Sequence, residues 1–182
     1  WKTTLRGKEL VFITDAGVFS AEGVDRGTRL LIETVELPQE GDVLDLGCGY
    51  GVLGIACAVS EPGLRVVMVD INQRALELAR QNARLNGAAN TEILESDGYQ
   101  ALKGRRFDLI LTNPPFRQGK ELVSAWLKDG RNYLKPGGRL VMVVRTQQGA
   151  HSWRRRLEEW YGHCEELEKG GGYRVFQVRV EG

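Results

Sequence analysis

Short apolar runs of strand length alternate with helix-period stretches along nearly all of this 182-residue sequence, and that alternation leaves few folds open. Residues 43–46, 66–69, 91–94, 107–111 and 140–144 each read as a buried strand, rich in Val, Leu and Ile and too short for a helix. Helical patterns lie between them, at 27–37, from the glycines after residue 46 to about 60, at 72–86, at 118–134 and at 150–161. Asp25 stands near the start of the first, and Asn72 is placed to N-cap the third, with Gly87 to stop it. Pro136-Gly137-Gly138 follows the fourth, and Trp153, Leu157 and Trp160 share one face of the fifth. Residues 10–13 read as an earlier strand, closed by an Asp15-Ala16-Gly17 turn. Residues 173–180 alternate apolar and polar, as a half-exposed terminal strand does, antiparallel after residues 163–168. Strand–helix repetition of this kind builds a doubly wound, mostly parallel α/β sheet with helices on both faces. Such a sheet takes its ligands at the carboxyl ends of its strands, near the point where the winding reverses. No linker or repeat divides the chain. The expectation is a single domain, with residues 1–37 an extension packed on a core of 38–182.

Charge and cysteine usage narrow the classes further. The 25 basic and 24 acidic side chains nearly cancel, which excludes a polybasic tail and an acidic solvating protein. The balance hides an asymmetry, −3 over residues 1–91 and +4 over residues 92–182. Cys48, Cys57 and Cys164 form no CxxC pair, and an odd count argues against a disulfide framework. With only His151 and His163 beside them, a zinc site is not expected. A reducing, cytoplasmic setting fits this usage. No run reaches the ~18 apolar residues of a membrane span.

The residues that carry chemistry fall at strand carboxyl ends. Asp45-Leu46-Gly47-Cys48-Gly49-Tyr50-Gly51 follows a strand and opens a helix, where unpaired N–H groups and a positive dipole end await a ligand. Gly49-x-Gly51-x-x-Gly54 satisfies the dinucleotide fingerprint, and Asp70 ends the next strand, where it can hold a ribose. Asp45 weighs against a pyrophosphate, because like charges repel; a cofactor with a cationic head suits it better. Asp97-Gly98, beyond the strand at 91–94, adds a third acid on the same rim. The plain alternatives are a structural turn for the glycines, a loop-capping carboxylate for Asp45 and a surface turn for Asp97.

Asn113-Pro114-Pro115-Phe116 ends the strand at 107–111. Two prolines remove two N–H donors and fix φ, so the loop presents acceptors in a rigid arrangement. The Asn113 side-chain oxygen and the Pro114 carbonyl suit an amino group with two hydrogens. An exocyclic amine conjugated to a base is a poor nucleophile. Acceptors that draw its hydrogens out of plane localise the lone pair and stabilise the developing positive charge. Phe116 is placed to stack on the planar group, the alternative being a core role in a tight turn.

With these motifs in view, the chain resembles the class I S-adenosylmethionine-dependent amino-methyltransferases. Asp45-Leu46-Gly47-Cys48-Gly49, Asp70, Asp97 and Asn113-Pro114-Pro115-Phe116 carry the likeness. Upstream, Gly17-Val18-Phe19-Ser20 and Asp25-x-Gly27-Thr28-x-Leu30-Leu31 are similar to the small-domain members that modify guanine N2 in small-subunit ribosomal RNA; Gln148-Gly149-Ala150 resembles the short bacterial members. The longest members carry a further N-terminal half with no counterpart in this sequence. The resemblance implies a Rossmann-like fold: a seven-stranded, mostly parallel sheet with a C-terminal antiparallel strand and a short N-terminal strand or hairpin. It implies S-adenosylmethionine as cofactor, with Gly47, Gly49 and Gly51 cradling the methionine part and Asp45 meeting its ammonium. Asp70, with Ile71 beside it, would take the ribose diol, Asp97-Gly98 the adenine and Thr28 the carboxyl end. Asn113 and Pro114 would orient the target amine, with Phe19, Pro115 and Phe116 against the base. RNA, as ribosomal RNA or the small ribosomal subunit, is the implied partner.

Among basic residues, Arg117 and Lys120 have the better claim to RNA phosphates, because they adjoin the Asn-Pro-Pro-Phe loop. Arg154-Arg155-Arg156 lies on the polar side of an amphipathic helix and reads as a solvated face; Arg105-Arg106 is a further candidate. Other planar amines (a tRNA base, a DNA adenine, a glutamine amide) stay open as acceptors. A nicotinamide-dependent oxidoreductase is the reading from another class, but it lacks a constellation for hydride chemistry and leaves residues 113–116 unexplained.

Overall fold

The computed structural model describes residues 1–15 and 23–182. The alternation resolves into a hairpin of β1 (Lys2–Leu5) and β2 (Lys8–Val11), then α1 (Arg26–Thr34), β3 (Gly41–Leu46), α2 (Val52–Ser60), β4 (Leu64–Asp70), α3 (Gln73–Leu85), β5 (Thr91–Glu95), β6 (Phe107–Thr112), α4 (Lys120–Asp129), β7 (Leu134–Arg145), α5 (Ala150–Tyr161), β8 (Glu165–Gly170) and β9 (Tyr173–Arg179). Seven strands form one sheet in the order β5-β4-β3-β6-β7-β9-β8. β3 through β7 pair in parallel, and β9 runs antiparallel to both of its neighbours. This is the Rossmann-like sheet implied above.

The winding decides where chemistry can happen. From β3 the chain moves outward through β4 to the β5 edge, then returns to lay β6 on the other side of β3. The carboxyl ends of β3 and β6 therefore flank the point where the winding reverses, the crevice such sheets use for ligands. The glycine loop and Asn113 leave those two ends.

Apolar clusters cover both faces of the sheet. One gathers α2, α3 and the hairpin over Val43, Val66, Met68, Leu109 and Val141. The other gathers α4 and α5 over Leu44, Leu46, Val67, Ile110 and Phe176. Residues 43–46 and 66–69 thus alternate between faces, and both faces are buried, which is why they read as apolar runs, broken only at Asp45. α2 is buried through Val52–Ala58.

The hairpin is fixed by two asparagines one helical turn apart on α3. Asn86 exchanges hydrogen bonds with the N–H and C=O of Val11 (2.9 and 2.8 Å), and Asn82 with those of Ile13 (2.7 and 2.9 Å). Each side-chain amide thus acts as a short piece of neighbouring strand. Asn82, fully buried, also donates to the Tyr50 carbonyl in the glycine loop (2.9 Å).

Two helices differ in extent from the sequence reading. The helix expected over 118–134 is α4, Lys120–Asp129, followed by a 3-10 turn at Gly130–Tyr133. Gly119 has φ 107°, outside the helical region, so the helix starts after it. At the other end a Cβ on Gly130 would stand 2.7 Å from Leu140 Cδ1, so the chain passes tightly over β7 there. The helix expected over 27–37 stops at Thr34, where Val35 turns extended and enters the core.

Pro136-Gly137-Gly138, read as a break, lies inside β7. Pairing to β6 jumps from Phe107↔Leu134 to Leu109↔Arg139, so the residues between bulge out of register. The Gly138 carbonyl accepts the Val180 N–H at 2.9 Å, and Gly137 donates to Glu181 at 3.1 Å. A Cβ on Gly138 would meet the backbone oxygens of Lys135, Phe107 and Asp108 at 2.9, 3.1 and 3.2 Å. Gly138→Ala is therefore expected to cost about 1–3 kcal/mol, read as a lower urea midpoint with an unchanged m-value.

Candidate active site

A cavity of about 820 Å³ opens at the strand carboxyl ends. Its wall includes Asp45, Gly47, Cys48 and Gly51 from the β3 loop, Asp70 and Ile71 after β4, and Asp97 and Gly98 after β5. Asn113, Pro114, Pro115, Phe116 and Arg117 complete it from the β6 side, with Thr28 at the start of α1. The topology thus brings together most of the residues singled out in the sequence. Gly49 is outside the lining; its N–H is donated to Asp70 Oδ2 at 2.8 Å. Lys120 is exposed in the first turn of α4, also outside the lining. Phe19 and the rest of Gly17-Val18-Phe19-Ser20 lie outside the described residues.

The acids on the rim are already at work within the fold. Asp70 accepts the N–H groups of Gly49 and, through Oδ1, Asn72 (2.9 Å), so it shapes the glycine loop and the start of α3 together. Asp45 is only 1% exposed and accepts one hydrogen bond, from the Gly54 N–H at 2.9 Å. Burial pushes its carboxyl up to about 7; the Gly54 bond opposes that rise, and nearby Asp70 adds to it. An ammonium reaching this wall would supply the missing countercharge, so the donor set fits a cationic ligand head.

The shift has a thermodynamic sign. The folded protein holds the Asp45 proton more tightly than the unfolded chain does, so ionisation penalises the fold. On this account the ligand-free protein loses stability as pH rises from about 4, the ordinary carboxylate range, to about 7. Asp42, held down at about 2 by Arg65 against some burial cost, with Lys135 assisting, gives stability that is complete once the unfolded carboxylate is also ionised, so above about pH 5 it does not offset the fall. The expected result is a urea midpoint that falls between pH 5 and pH 8 in the wild type and is flatter in Asp45→Asn.

Asn113 is held by α1. Its Nδ2 donates to Asp25 Oδ2 (3.1 Å) and to Thr28 Oγ1 (3.0 Å). Asp25 Oδ2 also accepts the Thr28 N–H at 3.0 Å as the N-cap of α1. The Pro114 carbonyl accepts the Phe116 N–H at 2.9 Å, using one of its two lone pairs. Phe116 packs edge-on against Trp153, ring centroids 5.8 Å apart, so it serves the cavity wall and the core at once.

Several wall residues escape a sequence reading. Trp126, on α4, closes the side between two loops. A Cβ at Gly47 would stand 3.0 Å from its ring, and one at Gly98 3.0 Å from its indole nitrogen. Tyr173 and Arg145 reach the wall because β9 pairs antiparallel with β7, which sets them opposite each other. Arg145 Nε donates to the Tyr173 hydroxyl at 3.0 Å. Gln148, quoted above only for the resemblance, also lines the wall just beyond β7. The only sequence signal for the Arg145–Tyr173 pair was the terminal strand itself, whose register the sequence does not state.

The basic candidates separate. Arg105 is paired with Glu92 through two contacts of 3.0 Å. Arg154 lies 3.6 Å from Glu158, and Arg156 sits over the Trp153 ring at 4.6 Å. Arg117 is exposed at the cavity and forms no ion pair among the described residues. Burial pushes the Cys57 thiol up to about 12 and the Cys48 thiol up as well, so neither is an activated nucleophile. Among the described residues there is no His, Cys, Asp and Glu cluster able to hold a metal, and no helix long and apolar enough to cross a membrane.

The parallel sheet, the glycine loop and the Asn-Pro-Pro-Phe loop around one cavity define an S-adenosylmethionine-dependent methyltransferase. The sequence pattern described as the methyltransferase small domain matches residues 9–177, and the chain belongs to that family. It is 40% identical over 181 residues to the uncharacterized protein YbxB of Bacillus subtilis, covering 98% of this chain and 90% of that one. It is 37% identical to ribosomal RNA small subunit methyltransferase C of Actinobacillus succinogenes, covering 98% of this chain but 54% of the relative. The solved Thermus thermophilus 16S rRNA N2 G1207 methyltransferase, in complex with AdoMet and guanosine, superposes with a TM-score of 0.88 at 30% identity. That match covers all of this chain and 50% of that one. The chain thus spans about half the length of the ribosomal RNA methyltransferases it resembles.

Proposed function

We infer that this chain transfers a methyl group to the exocyclic amine of a nucleobase, guanine N2 of small-subunit ribosomal RNA. The observation that carries the reading is the placement of Asn113 and Pro114 at the end of β6, across one cavity from the glycine loop at the end of β3. The kinship with ribosomal RNA methyltransferases supports the choice of guanine and of small-subunit RNA. When bound, S-adenosylmethionine supplies an electrophilic methyl on a sulfonium centre.

The chain's own residues do the rest. Asp45 would hold the cofactor's ammonium, Asp70 and the neighbouring Ile71 its ribose, and Asp97 its adenine amine. Asn113 Oδ1 and the Pro114 carbonyl accept the two amine hydrogens, turning the lone pair toward the methyl group. The same oxygens stabilise the positive charge that develops on nitrogen. Orientation supplies most of the acceleration for an in-line displacement, and the proton leaves to water after attack. Pro115 and Phe116 flank the base; Phe19, outside the described residues, is proposed as a base contact on the sequence motif alone. A guanine in structured RNA must be exposed or flipped out to reach Asn113. Arg117, on the cavity wall, takes a phosphate beside it, and Lys120 has the weaker claim.

The test is methyl transfer from labelled donor to naked 16S RNA, assembled small subunits and bulk tRNA. Incorporation is expected in the ribosomal RNA arms and falls with rising salt, because phosphate contacts release counterions. Incorporation confined to tRNA would overturn the choice of RNA.

A further inference from the structure

The reaction proposed above needs one end of an amide and is blocked by the other. Asn113 must offer its oxygen to an amine. Turned over, it would offer NH₂ to NH₂ and hold nothing. The two orientations have nearly the same shape, so something other than packing has to choose between them.

The choice is made on α1. The Asn113 side chain meets a carboxylate oxygen, Asp25 Oδ2, at 3.1 Å. A carboxylate oxygen only accepts, so the amide atom facing it is the nitrogen. The Thr28 hydroxyl lies 3.4 Å from the same oxygen and donates its proton there. Its lone pairs are then free to accept the second amide hydrogen, over 3.0 Å. Donation runs one way, from Asn113 to Thr28 and from both to Asp25. A flipped amide would set its oxygen against the carboxylate and against a hydroxyl whose proton is already committed.

We propose that Asp25 and Thr28 are positioning residues that lock the Asn113 amide with its oxygen free for the target amine. The proposal rests on the role of Asn113 inferred above. Among the described residues Asn113 Oδ1 has no partner, whereas Nδ2 reaches two acceptors. The lock is itself anchored, because the oxygen that receives Asn113 also caps α1 through the Thr28 N–H. The α1 end is in turn pressed against β9, where a Cβ on Gly27 would stand 2.8 Å from the Tyr173 ring. Thr28, expected to touch the cofactor's carboxyl end, thus has a second function on the substrate side.

Asp25→Ser combined with Thr28→Val is the decisive variant. Serine still caps a helix but replaces the accept-only carboxylate with a hydroxyl that both donates and accepts and so no longer selects one end of the amide, and valine removes the Thr28 hydroxyl at nearly constant shape. The expected result, read at saturating methyl donor, is a fall in kcat of about tenfold or more, the equivalent of about one lost hydrogen bond, with KM for RNA nearly unchanged. Asp25→Asn with Thr28→Ser, which returns an oxygen and a hydroxyl to the same places, recovers most of the rate. A capping role alone would leave both pairs equally active, since serine and asparagine cap alike, and that result would overturn the lock. A second readout does not need turnover. The Asn113 side-chain NH₂ resonances, assigned by their loss in Asn113→Asp, should exchange slowly in the wild type and quickly in Asp25→Ser/Thr28→Val. Unchanged exchange would overturn the proposal directly. Full activity in Asn113→Ala would instead remove the role of Asn113, while the slow resonances would still report the locked amide in the wild type.

Discussion

Asn113→Ala should lower kcat by roughly a hundredfold or more, the loss typical when one preorganised electrostatic contact to a developing charge is removed. Donor affinity should stay close to that of the wild type. The residue sits at the end of β6, and its amide hydrogens are taken by Asp25 and Thr28, so the glycine loop does not depend on it. Single-turnover methyl transfer together with calorimetry of S-adenosylhomocysteine binding separates the two effects. A fall in cofactor affinity that matches the fall in rate would place Asn113 in the cofactor site and leave the target amine without its acceptor.

The second large effect has opposite signs for stability and for binding. Asp45→Asn keeps an oxygen for the Gly54 N–H but removes a buried carboxyl whose ionisation is held up to about 7. At pH 8 the ligand-free variant should unfold at higher urea than the wild type. Its affinity for the methyl donor should fall roughly ten- to a hundredfold, as expected when a charged hydrogen bond of about 1.5–3 kcal/mol is lost. S-adenosylhomocysteine carries the same ammonium and should show the same loss. A variant that is less stable and binds the donor normally would make Asp45 a purely structural cap for α2, the alternative that its hydrogen bond to Gly54 keeps in view.

The order of strands and helices was legible because both faces of the central sheet are covered, so the centres of β3, β4 and β6 are apolar runs, broken only at Asp45. The rim acids and the Asn-Pro-Pro-Phe loop were legible because parallel winding sends every such end to the same side. The bulge at Pro136–Gly138 was not. Gly138 serves close backbone approach within a strand and Gly137 a positive φ of 78°, and in a sequence those uses look the same as a turn. The Arg145–Tyr173 pair was hidden because antiparallel register is a long-range choice. Asn82 and Asn86 fall within the helix expected over 72–86, and nothing in that stretch of sequence marks them as partners of the backbone of Ile13 and Val11. Asp25 was visible near a helix start, and its contact with a residue 88 positions away was not.

The most direct measurement is the identity of the nucleoside made. Small-subunit RNA is incubated with the protein and deuteromethyl-labelled S-adenosylmethionine, digested to nucleosides and resolved by mass spectrometry. The predicted product is N2-methylguanosine carrying the label, present with the wild type and lost with Asn113→Ala. Label on a ring nitrogen, a ribose oxygen or a carbon of any base would contradict the amine chemistry assigned to Asn113 and Pro114.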